Sequence, residues 1–171
     1  MSKRDLKKYL SELNKSQLEE QVTELYEKFK DVKVYYDFVF NPNENNLVKE
    51  AKLKISNEYF PIRGKRPKMR RSVAQKFIKH FISLGVDAFI IADIMLYNIE
   101  IAQSLSAEKD IKSEAFYKSM LNSFQQVCAF LIENGILYEF KSRVVAIQKQ
   151  AEKQKWFNQY EFNAIVERFD Y

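Results

Sequence analysis

The chain has 171 residues, of which 46% are hydrophobic and 30% charged, and a net charge of +5. A chain of this size buries one full core without metals or disulfides. Its 3 glycines and 3 prolines are too few for turn-rich β-sandwiches or glycine-cradled nucleotide folds, and 15% aromatic residues argue against disorder.

The chain reads as all-α, with about eight or nine helices in antiparallel hairpins, as an irregular bundle or a short α-solenoid. Ser2 with Asp5 marks a helix start, and Leu6, Leu10 and Leu13 share a face of a first helix at about 3–13. Asn14 and Ser16, with Gln17 and Glu19 at the matching positions, open a second helix. Its apolar stripe is Leu18, Val22, Leu25, Tyr26 and Phe29. Asp31 is the expected cap of a third helix. The run Val32–Phe40 is rich enough in β-branched and aromatic residues to suit a strand; with no partner strand in sight, helix is the preferred reading.

Asn43 is placed as the cap of a fourth helix carrying Leu47, Ala51, Ile55 and Tyr59. The stretch Ile62–Arg71 has no periodicity and contains Gly64 and Pro67, so it reads as a linker loop between two helical halves of a single domain, 1–171. A fifth helix covers about Ser72–Leu84, ended by Gly85 in the left-handed conformation. Asp87 caps a sixth that is apolar on nearly every side and is expected to be the most buried. Ser106–Lys112 reads as a loop. A seventh helix at about Ser113–Asn134 ends at Gly135. An eighth spans about Ile136–Lys155 and a ninth runs from about Gln159 to the end.

The runs Tyr35–Pro42, YYDFVFNP, and Arg70–Asp87, RRSVAQKFIKHFISLGVD, resemble a family of small bacterial proteins known only as a domain of unknown function. The likeness covers most of the chain and implies no activity and no catalytic residues. LSELNKSQLEEQVTELYEKFKDV is more distantly similar to helical repeats that accompany SWIM-type zinc fingers. The zinc-binding cysteines of those fingers are absent here, so their mode of DNA binding does not transfer.

One cysteine, Cys128, and one histidine, His80, exclude an intrachain disulfide and a Cys/His zinc site. His80 reads as a partly exposed residue near a helix C-terminus, and Cys128 as an inert core thiol. Asp93 and Glu100 lie in the apolar sixth helix and must be paired or at its rim. The expected partner of Asp93 is an arginine of the basic loop. Trp156, Phe157 and Tyr160 either cap the core or form an apolar patch. The N-terminus lacks the apolar stretch of a signal peptide. Asp87, Asp93 and Glu100 interrupt the longest apolar runs, so no membrane span is expected and the cytoplasm is the expected location.

Charge is concentrated in one place. Residues 57–84 hold eight Lys/Arg against one Asp/Glu, more than the whole net excess. Arg63, Lys65, Arg66, Lys68, Arg70 and Arg71 crowd the loop, and Lys76 and Lys79 continue onto the next helix. Such a cluster binds polyanions by neutralising phosphates. Its ordinary alternative is a solvated loop paired with acidic neighbours. The absence of a catalytic motif and the usual service of helical hairpins as binding surfaces point to a non-enzymatic protein-interaction domain that needs no cofactor or metal. Its partner is expected to be another protein. The runner-up is a weak, non-specific nucleic-acid-binding accessory protein.

Overall fold

The computed structural model describes residues 2–62 and 66–169. The fold is all-α; among the described residues there are nine helices and no strand. They fall into two compact units, Met1–Asn43 and Glu44–Tyr171, so the basic segment 62–71 lies inside the second.

The first unit contains α1 (Lys3–Ser11), α2 (Lys15–Lys28) and α3 (Lys30–Phe40). Both capping motifs form reciprocal boxes. The Asp5 N–H donates to Ser2 Oγ at 3.2 Å while the Ser2 N–H donates to Asp5 Oδ2 at 2.9 Å. Asn14 and Gln17 repeat the exchange, each bond at 3.0 Å. The ambiguous run 32–40 is helical. Its cap is Phe29 rather than Asp31, which sits in the first turn of α3. Phe29 alone separates α2 from α3, extended at φ −116° and ψ 113°, and it reverses the chain. Tyr26 then lies against Tyr36, ring centroids 6.5 Å apart, and its hydroxyl donates to Asp37 at 2.8 Å. The result is an antiparallel hairpin.

The second unit comprises α4 (Glu44–Tyr59), α5 (Arg71–Leu84), α6 (Ala88–Glu108), α7 (Glu114–Glu133), α8 (Leu137–Lys153) and α9 (Gln159–Glu167). Helix α6 is its centre and packs against α4, α5, α7 and α8. Ile94, Leu96, Ile99 and Ala102 of α6 are fully enclosed. By length and composition α6 is apolar enough to cross a membrane, in spite of the acidic residues that interrupt it; here ten of its residues are buried within the unit. It also runs further than expected. Residues 106–108 are helical, because Trp156 Nε1 donates to Ser106 Oγ at 3.1 Å and holds that polar turn against the core. Buried polar groups are paired across helices: Tyr59 Oη donates to Asn98 Oδ1 at 3.2 Å and Gln103 Nε2 donates to the Ile147 carbonyl at 2.7 Å.

Three chain reversals share one geometry. The Gly85 N–H donates to the Ile82 carbonyl and the Val86 N–H to that of Phe81, both at 3.1 Å. Gly135 and Ile136 repeat the pair on Ile132 and Leu131, both at 3.0 Å. These are Schellman caps, with the left-handed residue at φ 72° and 68°. The third cap is built without glycine: Lys155 adopts φ 54°, its N–H reaches Glu152, and the Trp156 N–H reaches Ala151. In each case the residue after the left-handed one is buried: Val86, Ile136, Trp156.

Candidate interaction surface

The reactive groups singled out in the sequence do not converge. His80 is exposed on α5. Cys128 is buried, and burial pushes its thiol up to about 12, which makes it a poor nucleophile. Among the described residues no group of three or more His, Cys, Asp or Glu is placed to hold a metal. Trp156 caps the core, while Phe157 and Tyr160 are exposed.

Asp93 is paired, but not with the basic segment. Its Oδ2 lies 2.6 Å from Lys52 Nζ of α4, and its Oδ1 accepts from Arg143 Nη1 of α8 at 2.8 Å. Arg70 and Arg71 sit at the entry to α5, whereas Asp93 faces α4 and α8. Arg143 also grips Glu100 with two hydrogen bonds, at 2.9 and 2.8 Å, and Lys52 lies over the Tyr97 ring at 5.2 Å. Burial opposes ionisation of Asp93; the hydrogen bonds from Lys52 and Arg143 outweigh it and hold the carboxyl below its ordinary value. Every charge in this cluster has an opposite partner, which marks it as a clamp joining three helices.

The basic segment divides into bound and open cations. Arg63 and Lys65 lie outside the described residues. The Lys68 and Met69 N–H groups donate to the Glu58 carbonyl at 2.9 and 3.0 Å, folding 66–70 back on the last turn of α4. Arg70 completes this anchor by donating twice to the Glu58 carboxylate, at 2.9 and 2.8 Å. Those bonds hold the carboxyl below its ordinary value, against a burial that would raise it. Arg71 donates to Ser123 Oγ at 2.7 Å and to Gln126 Oε1 at 2.6 Å, tying α5 to α7. Arg66, Lys68, Lys76 and Lys79 remain exposed.

The two groups of cations differ in what their removal does. The Glu58 side chain is only 11% exposed, so Arg70→Ala strands a largely buried carboxylate. That variant is expected to lower the unfolding midpoint clearly, because the carboxylate loses its partner. Lys76→Ala should stay within about 0.5 kcal/mol. Urea midpoints measure both; equal midpoints would show that Glu58 does not depend on Arg70.

The first unit carries an open apolar surface. Among described residues 2–43 there are sixteen Leu, Val, Phe and Tyr side chains, a core's worth, yet no residue of α1, α2 or α3 is buried. Val22, Tyr26, Tyr36 and Phe40 line an apolar cleft of about 270 Å³ between α2 and α3. Tyr36 stacks on Phe40 at 6.1 Å, and Phe40 is 74% exposed. Leu25 and Phe29, also exposed, prolong this band along α2. The stripe was visible in the sequence from its spacing, which identifies a shared face but not what that face touches.

A model of the family of unknown function DUF6155 matches residues 1–170. No curated protein and no solved structure matches the chain.

Proposed function

We propose that this chain, which belongs to that family of unknown function, is a non-enzymatic helical interaction domain that docks a protein on the apolar band of α2 and α3. One observation carries the reading: a 43-residue helical unit that presents abundant apolar side chains and, among its described residues, buries none. Helices of 9, 14 and 11 residues are marginal alone in water and draw their stability from packing of an apolar face. A face left open at this scale marks a protein contact. The second unit has a well-packed core of its own, so the band belongs to a separate module.

The runner-up, weak binding of polyanions, rests on the four open cations Arg66, Lys68, Lys76 and Lys79 together with Arg63 and Lys65. It is second because Arg70 and Arg71, two of the cations best suited to grip phosphate, are engaged within the fold.

A tagged full chain carrying Val22→Glu and Phe40→Glu separates the two readings. Neither residue is buried, so helicity by circular dichroism should persist. In nuclease-treated cell extract this bait should lose the proteins that the wild-type bait retains. Identical retained sets, or sets that vanish only with nuclease, would refute the docking reading.

A further inference from the structure

Resting on that reading, we infer that the occupant of the band is a second copy of this chain, the two α2–α3 hairpins closing on each other as a four-helix bundle. Leu18, Val22, Leu25 and Phe29 follow one another at steps of four, three and four; Val32, Tyr36 and Val39 follow at four and three. Steps that alternate between four and three are the heptad spacing of knobs-into-holes seams and of four-helix bundles. Two helices cover only one flank of each seam. Tyr26 and Tyr36 meet inside the hairpin, while Val22, Leu25, Phe29 and Val39 remain exposed. A second hairpin with the same length and spacing fills the open flank, and a two-fold pairing provides that match by construction.

Area and charge favour the same partner. On α2 and α3, Val22, Leu25, Phe29, Tyr35, Val39 and Phe40 are each left two-fifths exposed or more. At the usual size of such side chains they offer on the order of 550 Å² per copy, or about 1,100 Å² in a pair, above the roughly 1,000 Å² that a specific interface must clear. Residues 1–43 hold eight Lys/Arg and eight Asp/Glu, a net charge of zero. Two identical surfaces of one sign repel; these do not. The rim of the band also carries both signs, with Lys15 and Glu19 beside Leu18 and Val22.

Sedimentation velocity of the full chain over about 1–200 µM covers the affinities that an interface of this size supports. The wild-type chain should sediment as a concentration-dependent dimer, and Val22→Glu with Phe40→Glu should raise the dissociation constant at least about 100-fold. Ile132→Glu, on an exposed apolar residue of the second unit, should leave the dimer intact. A wild-type monomer throughout, with a hydrophobic dye whose binding disappears in the double variant, would overturn the self-pairing and leave the docking surface standing. A monomer that binds no dye and shows slow amide exchange along α2 and α3 would overturn both, because the band is then covered within its own chain.

Discussion

Trp156→Ala should lower the unfolding free energy of the second unit by about 3–5 kcal/mol, the upper range for loss of a buried aromatic. Trp156 is 1% exposed. Its ring meets Phe116, Tyr117 and Phe162 at centroid distances of 5.9, 5.2 and 5.7 Å, all edge-on. Its indole N–H donates to Ser106 Oγ at 3.1 Å and Gln154 Oε1 at 2.9 Å. The substitution therefore opens a cavity where α6, α7 and α9 converge and removes the donor that holds the last turn of α6. Against a typical total of about 5–15 kcal/mol, such a loss brings the unit close to its limit. Denaturant titration followed by circular dichroism gives the number. Trp156→Phe, which keeps most of the ring contacts, should cost clearly less. Equal losses would mean that the hydrogen bonds dominate over the packing.

The second large effect is expected at Arg143. Arg143→Met keeps an apolar stem over Phe140, whose ring centroid lies 5.9 Å from the guanidinium, and removes all three donations to Asp93 and Glu100. Glu100 loses both of its bonds to Arg143; Asp93 retains Lys52. Removing one partner of a fully buried pair costs about 3–5 kcal/mol. Here the side chains are 30–35% exposed, and water screens part of the loss, so about 2–3 kcal/mol is expected at neutral pH.

The pH dependence of that loss follows from Asp93. Its folded carboxyl lies below its ordinary value, so its contribution is present above the unfolded value of about 4 and is lost as pH falls through the lower folded value. The gap between wild type and Arg143→Met should accordingly narrow below about pH 4 as Asp93 protonates. A gap that stays constant into acid would show that Arg143 contributes through packing rather than through its charge.

The helices were legible because their signals are local. Asn14 with Gln17, Gly85 and Gly135 each act on neighbours within five residues, and each stands where the spacing placed it. The cap at Lys155 was not legible, because its left-handed residue is not glycine; the burial of Trp156 beside it holds the turn in that conformation. Asp93 illustrates a second kind of limit. Periodicity showed that it had to be paired, but its partners are 41 and 50 residues away on other helices, and only the packing of α4 and α8 against α6 selects Lys52 and Arg143. The same limit applies to the candidate surface. The stripe on α2 reads the same whether it is covered or open, since apolar spacing records a face and not its neighbour.

The three Schellman reversals also bear on how quickly this chain reaches its fold. Each is closed by hydrogen bonds spanning three and five residues, and two of them join helices that pack directly on each other, α5 with α6 and α7 with α8. The third delivers the chain from α8 to α9, which pair in turn. Little loop entropy is spent in bringing sequence neighbours together, and such local topologies refold in microseconds to milliseconds. The α6–α8 clamp at Arg143 spans 43 and 50 residues, so its long-range closure has no comparable local guide. The hairpins are thus expected to form early on the refolding path, and Arg143→Met is expected to speed unfolding more than it slows refolding.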